Sequence, residues 1–318
     1  MRPAFLRSGA AGFLLLFSAA AFANDCAGRT DVLGTTRTMK VSAGDGPVGL
    51  VSYRKTLDLA DREVMLTFDD GPMPKRTPAV LEALARECVK ATFFAVGSMA
   101  AAYPELLRQV ADNGHTIGTH TWSHAYLHRR RNGQGAATQI SGGLQAANMI
   151  LDPGQRQQLS PFFRFPGLGH SKALDQFVVD HGLIAMSVDI DSQDWRKISP
   201  EDVLRRPLQQ LEARGKGIVL MHDIQARTIA ILPELLRQLK ERGYKVVHIV
   251  PDIHEARAAV AGLGAPQTKQ FQTAMARAQQ KLSIMTAMAK PGEKSVPATQ
   301  DVFAATLRLE TFGLRGSI

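Results

Sequence analysis

The chain has 318 residues, 45% of them hydrophobic and 21% charged, with a formal net charge of +9. This is an ordinary globular composition, sized for one large α/β domain or two small ones, and it sets aside a low-complexity chain. The basic excess does not point to nucleic acid. Arg129-Arg130-Arg131 is the one tight basic run, lacks interleaved aromatics, and reads as a solvated loop.

At the N-terminus, Arg2 and Arg7 precede an apolar stretch from about Ala10 to Phe22, and Ala21-Phe22-Ala23 has the small-x-small pattern of a signal-peptidase site. The stretch is short for a membrane span, so residues 1–23 are expected to be a signal peptide, with an uncleaved anchor as the alternative. Cys26 lies three residues past the expected cut, which does not fit a lipoprotein signal. Cleavage would remove two arginines and no acids, taking the formal charge from +9 to +7. The expected location is therefore outside the cytoplasm, periplasmic or secreted. There the basic charge would favour association with anionic cell-wall polymers or a membrane surface. An oxidising compartment also permits a disulfide between the two cysteines, Cys26 and Cys88.

Residues 24–60, with Gly44, Gly46 and Gly49 close together, read as an N-terminal arm or an irregular edge. A regular alternation follows. Apolar, β-rich runs occur at Val64–Phe68, Thr92–Val96, His115–Thr119, Phe162–Arg164, Leu183–Val188, Gly217–Met221 and Lys245–Ile249. Between most of them lie helical patterns. Thr77-Pro78 reads as an N-cap and first-turn proline, and Ser199-Pro200-Glu201-Asp202 opens another helix with acids at its positive end. Leucines at helical spacing run over Ala230–Arg242 and stop at Gly243. Seven strands alternating with helices predict a parallel α/β fold over residues 61–255, either a barrel or a doubly wound sheet. Residues 256–318 become rich in Ala, Gln, Lys and Met and read as a tail, partly helical and partly disordered.

In parallel α/β folds the reactive groups collect at the C-terminal ends of the strands. Polar residues do so here repeatedly. Asp69-Asp70-Gly71-Pro72 follows the first strand, and His120 ends the third with His124 four residues on. Arg164 ends the fourth, Asp189, Asp191 and Asp194-Trp195 follow the fifth, and His222-Asp223 ends the sixth. In a helical turn the His120–His124 spacing would put both rings on one face, suiting two ligands of one metal, with Asp70 or Asp69 as the third. Adjacent acids at a strand end diverge, so one can bind the metal while the other serves as a base. His222 has the chemistry of a general acid. Arg164 is able to pair with one of the aspartates, and Asp194 with His222. Trp195 offers a flat face for a sugar ring, or is a core residue.

Taken together these residues resemble the polysaccharide deacetylase family, also called the NodB homology domain or carbohydrate esterase family 4, over about Val64 to Val250. Thr67-Phe68-Asp69-Asp70-Gly71-Pro72 matches the family's first motif and His120-Thr121-Trp122-Ser123-His124 its second. Asp191-Ser192-Gln193-Asp194-Trp195 resembles its fourth motif and Leu220-Met221-His222-Asp223 its fifth. The resemblance implies a distorted (β/α) barrel of fewer than eight strands, agreeing with the seven predicted. It also implies Asp69 as catalytic base and Asp70, His120 and His124 as ligands of a divalent ion, usually zinc, with cobalt or other divalent ions able to substitute. Arg164 would orient Asp69, Asp194 would tune His222, and His222 would protonate the leaving amine.

The third motif departs from the family's usual Arg-Pro-Pro-Tyr. It reads Arg164-Phe165-Pro166-Gly167, keeping a backbone amide at Gly167 for an oxyanion but losing the aromatic wall. The implied activity is metal-dependent removal of N-acetyl groups from N-acetylglucosamine-type units of a polysaccharide, releasing acetate. Pro166, Gly167 and Trp195 are the expected substrate contacts. The alternatives are an O-acetyl esterase acting on xylan or an exopolysaccharide, and a non-catalytic glycan-binding protein. Peptidoglycan, chitin oligomers and poly-N-acetylglucosamine all remain open as substrates.

Overall fold

The computed structural model describes residues 26–130 and 135–262, with three isolated positions beyond them. The expected signal peptide, Arg131 of the basic run and nearly all of the tail lie outside the described residues. Within them the strands are β1 (Thr35–Val41), β2 (Glu63–Asp69), β3 (Thr92–Ala95), β4 (Thr116–Thr119), β5 (Leu159–Phe163), β6 (Ile184–Ala185), β7 (Ile190–Asp191), β8 (Gly217–His222) and β9 (Lys245–Pro251). The helices are α1 (Arg76–Arg86), α2 (Gly97–Ala102), α3 (Pro104–Asp112), α4 (Ala136–Ile150), α5 (Lys172–Asp180), α6 (Pro200–Arg214), α7 (Ala226–Glu241) and α8 (Ile253–Gly262).

Every strand pairing is parallel. Seven strands, in the order β7-β8-β2-β3-β4-β5-β6, curl into the expected distorted barrel. β9 pairs with the start of β2 and carries β1 on its other edge. Of the run expected as one strand over Leu183–Val188, only Ile184–Ala185 is strand (β6); the next short strand, β7, follows beyond it at Ile190–Asp191, and the two do not pair. The segment after β1 closes that seam. Val48 bridges Met186, and the Val51 amide donates to the Val188 carbonyl at 2.9 Å. The stretch expected to be an arm or irregular edge thus supplies a strand and part of the barrel wall. A disulfide between Cys26 and Cys88, with Cα atoms 5.6 Å apart, ties its beginning to the end of α1.

Side-chain alternation along the strands divides the core into two layers. Val64, Leu66 and Phe68 of β2 pack outward with Val80 and Leu84 of α1 and Leu232, Leu235 and Leu236 of α7. Met65 joins a second cluster drawn from the strands, the 41–59 segment and Met186 and Val188 after β6, including Phe94, Phe162, Ile218 and Leu220, which fills the barrel. The inward parity continues to the strand ends, at Asp69 after Met65, Arg164 after Phe162, and His222 after Ile218 and Leu220. His120 shares the parity of Gly118. A Cβ at Gly118 would lie 2.7 Å from the Phe94 ring, so glycine makes room for that ring at the barrel centre.

Ser199 caps α6, its hydroxyl accepting from the Asp202 amide at 3.1 Å. Thr77 does not cap α1, which begins a residue earlier behind Lys75. Its hydroxyl accepts from the Met73 amide at 2.7 Å and donates to Asp223 at 2.5 Å. α7 starts a turn earlier than the leucine pattern suggests and ends before Gly243. α8 continues past the expected domain edge at residue 255, with Ala256 and Ala259 buried. Among the described residues, no helix is long and apolar enough to cross a membrane.

Candidate active site

Parallel register sets Asp69 of β2 directly opposite His222 of β8 and beside Phe94 of β3. Asp69 is buried and its Oδ1 accepts from Arg164 Nη1 at 2.7 Å. Arg164 is 0% exposed, and an unpaired guanidinium there would cost several kcal/mol. Each arm of its fork is satisfied. Nη1 also donates to Thr67 Oγ1 at 2.8 Å, Nε to the Met186 carbonyl at 3.0 Å and Nη2 to the Ser187 carbonyl at 3.3 Å. Its underside rests on the Phe94 ring, 3.9 Å from the centroid. Burial pushes the Asp69 carboxyl above the ordinary carboxylate range, against the opposing pull of Arg164. The result is a fixed carboxylate with raised basicity.

Asp70 leaves the strand through a left-handed backbone (φ 79°) and turns away from Asp69. Its Oδ1 lies 3.5 Å from His120 Nε2 and 3.2 Å from His124 Nε2. His120 follows β4 and donates from Nδ1 to the Arg164 carbonyl at 2.8 Å, which leaves Nε2 with its lone pair facing Asp70. Burial holds this imidazole well below its ordinary pKa, so it is neutral. The two histidines do not lie on a helical turn, as the four-residue spacing suggested. They converge across an irregular turn in which Thr121 and His124 have positive φ (63° and 56°).

One ligand atom from each of Asp70, His120 and His124 falls within 4.8 Å of the others. Asp70 Oδ1 is buried and has no hydrogen-bond donor among the described residues. Acceptors crowded this way are poorly served by one another and suit a divalent cation. The donor set, two imidazoles and one carboxylate, fits the zinc-type ion expected from the sequence.

His222 faces this cluster from the neighbouring strand. Its Nδ1 is 2.6 Å from Asp194 Oδ1, while its own backbone amide donates to Asp194 Oδ2 at 2.7 Å and the Thr228 hydroxyl donates to the same oxygen. Burial alone would drive the imidazole down. The Asp194 carboxylate outweighs it, aided by Asp70 and Asp69, and pushes His222 up to about 10. The imidazolium is thus the resting form at neutral pH, with Nε2–H as its available proton.

Pro166 and Gly167 form a short 3-10 turn after β5, with Gly167 at φ 62°. Trp195 is 56% exposed, beside Asp194, which removes the core alternative for it. Asp189 stands apart from these groups: its carboxylate accepts from the Leu50 and Ile218 amides at 2.8 Å each and braces the barrel seam. Burial raises the Asp191 carboxyl.

Three supporting residues carried no role from the sequence. Thr67 shares the inward parity of Asp69, a signal that the first motif contained. Thr228 lies in α7 and approaches Asp194 only through the fold. Asp223 packs on Gly71, where any Cβ would come within 2.1 Å of its Oδ2, and burial pushes its carboxyl up to about 7.

The family model described as polysaccharide deacetylase matches residues 57–186. A chitooligosaccharide deacetylase of Azorhizobium caulinodans is 33% identical over 195 residues, covering 57% of this chain and 90% of the relative. The chain belongs to the polysaccharide deacetylase family. A peptidoglycan-N-acetylglucosamine deacetylase of Listeria monocytogenes, PgdA, is 34% identical over 189 residues, 59% of this chain. The match spans only 38% of the length of that relative. Among solved structures, a peptidoglycan deacetylase of Bdellovibrio bacteriovorus superposes with a TM-score of 0.64 at 36% identity, covering 75% of this chain and 65% of the other.

Proposed function

We propose that the protein is a metal-dependent hydrolase that removes N-acetyl groups from N-acetylglucosamine-type units of a polysaccharide, releasing acetate. The observation that carries this is the juxtaposition of two opposed proton-transfer groups beside one cation site. Asp69 is held by Arg164, His222 is held by Asp194, and the Asp70–His120–His124 triad lies beside them.

A divalent ion held by Asp70, His120 and His124 would supply Lewis-acid chemistry to the acetyl carbonyl and the attacking water. Asp69 accepts the proton of that water as its oxygen bonds to the carbonyl carbon. The Gly167 amide donates to the developing oxyanion. His222 delivers its Nε2 proton to the sugar nitrogen as the carbon–nitrogen bond breaks, and acetate leaves. An amine is a poor leaving group unless protonated, so an acid charged well above neutral pH favours amide over ester hydrolysis. Pro166 shapes the turn that presents Gly167, and Trp195 offers a face for the sugar.

The similarity to deacetylases named for peptidoglycan and for chitooligosaccharide supports an acetylated glycan as substrate. The Cys26–Cys88 disulfide supports an oxidising, exported location, in line with a signal peptide over residues 1–23. The domain is taken to run over residues 61–255, with the preceding segment built into its wall.

The test is acetate release from peptidoglycan, chitin oligomers and poly-N-acetylglucosamine with added zinc, repeated with His222→Ala on the best of these and on an O-acetylated xylan. Near-complete loss on the amide is expected. Amide turnover that survives the substitution, or turnover confined to the ester, would overturn the assignment.

A further inference from the structure

Gly167 raises a question that its amide does not answer. A Cβ at this position would lie 2.6 Å from Cε1 of Tyr126, so the tyrosine ring rests on the glycine backbone. The next contact repeats the pattern, since a Cβ at Gly169 would meet the His128 ring at 2.0 Å. Residues 126–128 therefore run along residues 167–169, with two glycines opening the space for two rings. Leu127 between them is 1% exposed and anchors the segment in the core.

Tyr126 lies in a distinctive place. Its ring centroid is 5.3 Å from that of His124, edge to face at 85°, and the Arg129 guanidinium lies 4.6 Å from it. Despite these neighbours it stays 40% exposed. A large aromatic ring held rigidly with an open surface is suited to the apolar face of a pyranose. A reacting carbonyl must lie within hydrogen-bond reach of the Gly167 amide and close to the His124 side chain. Tyr126 touches both of these residues, so the sugar that bears the carbonyl has to lie against it.

We infer that Tyr126 is a specificity-determining residue, forming the wall of the sugar site that Gly167 leaves without a side chain. It contacts the N-acetylhexosamine ring whose acetyl group is removed. The sequence shows the absence of an aromatic at position 167; only the fold shows that another loop supplies one. This inference rests on the deacetylase function proposed above, and on Tyr126 acting in binding rather than in proton transfer.

The test pairs Tyr126→Ala with Tyr126→Phe on an N-acetylglucosamine tetramer in the zinc-loaded protein. For Tyr126→Ala, KM should rise about tenfold while kcat changes less than threefold, and Tyr126→Phe should stay within twofold of the parent in both. Melting temperature and bound zinc should not change. Calorimetric binding of the same tetramer to His222→Ala, with and without Tyr126→Ala, should show the same tenfold weakening where turnover plays no part. A change in KM and Kd below twofold overturns the inference, as does a loss of kcat accompanied by lost zinc or a lowered melting temperature. Failure of the unsubstituted protein to release acetate would count against the proposed function, and the binding pair would still decide on Tyr126.

Discussion

Asp194→Asn is expected to remove the general acid without removing its side chain. Asp194 receives three hydrogen bonds, from His222 Nδ1, the His222 backbone amide and the Thr228 hydroxyl. An asparagine keeps one acceptor oxygen and turns an NH2 group toward donors, so at least one partner is left unpaired. The larger effect is electrostatic. His222 is raised from 6.5 to about 10 because Asp194, with help from Asp70 and Asp69, overrides burial. A bound dication would offset the parts from Asp70 and Asp69 and leave Asp194 as the main support of the charge. With Asp194 neutral, burial prevails and the imidazole falls below its ordinary value. The rise from 6.5 to about 10 corresponds to about 5 kcal/mol of net support for the charged form, gained against the opposing effect of burial. At pH 7.5 the acid would then be discharged, and kcat on an N-acetyl substrate should fall by about 10²- to 10⁴-fold. Zinc stoichiometry should be unchanged, because Asp194 is not among the three ligand residues. The assay is acetate release at saturating substrate, with nitrogen-detected titration of His222 in parallel. A kcat within threefold of the parent, with His222 still charged at pH 8, would show that Asp194 is not what keeps His222 protonated.

The remaining expectations concern stability. His248 is buried against Thr116, and burial lowers its pKa to about 4, with nearby Lys90 adding to the effect. The unfolded imidazole takes up its proton near 6.5 and the folded one only near 4. Stability present above pH 6.5 is therefore lost as pH falls through that window, by about 3 kcal/mol. Burial shifts His115 in the same direction. Melting curves of His248→Gln between pH 7 and 4 should show a shallower fall than the parent. An identical slope would show that His248 is not buried as a neutral ring. The Cys26–Cys88 bridge closes a separation of 62 residues, worth about 4 kcal/mol through the unfolded chain. The Cys26→Ser, Cys88→Ser pair should unfold at lower denaturant with zinc binding retained, and an unchanged midpoint would contradict this.

Most of the candidate site was legible in the sequence because its residues sit at strand ends, where inward parity is readable. Asp69, Arg164 and His222 each follow an inward apolar residue of their own strand, and the parallel register does the rest. The histidine pair does converge on Asp70, but through backbone at positive φ rather than the helical turn that its spacing suggested. The early end of β6 was hidden because Leu183–Val188 reads as one largely apolar run, and its second half meets Val48 and Val51, from far along the chain, instead of a neighbouring strand. Thr77 reads as a cap next to Pro78, yet its hydroxyl is drawn to Asp223, more than a hundred residues away in sequence. Long-range partners of that kind, including Thr228 for Asp194 and Tyr126 for Gly167, leave no local pattern to read.

In the proposed function, the Asp70–His120–His124 triad holds the ion on which hydrolysis depends. Acetate release from an N-acetylglucosamine oligomer should vanish on exhaustive chelation and return with one equivalent of zinc or cobalt. His124→Ala should release no acetate with the same single equivalent. Release undiminished after exhaustive chelation, with the ion verified absent, would contradict the account.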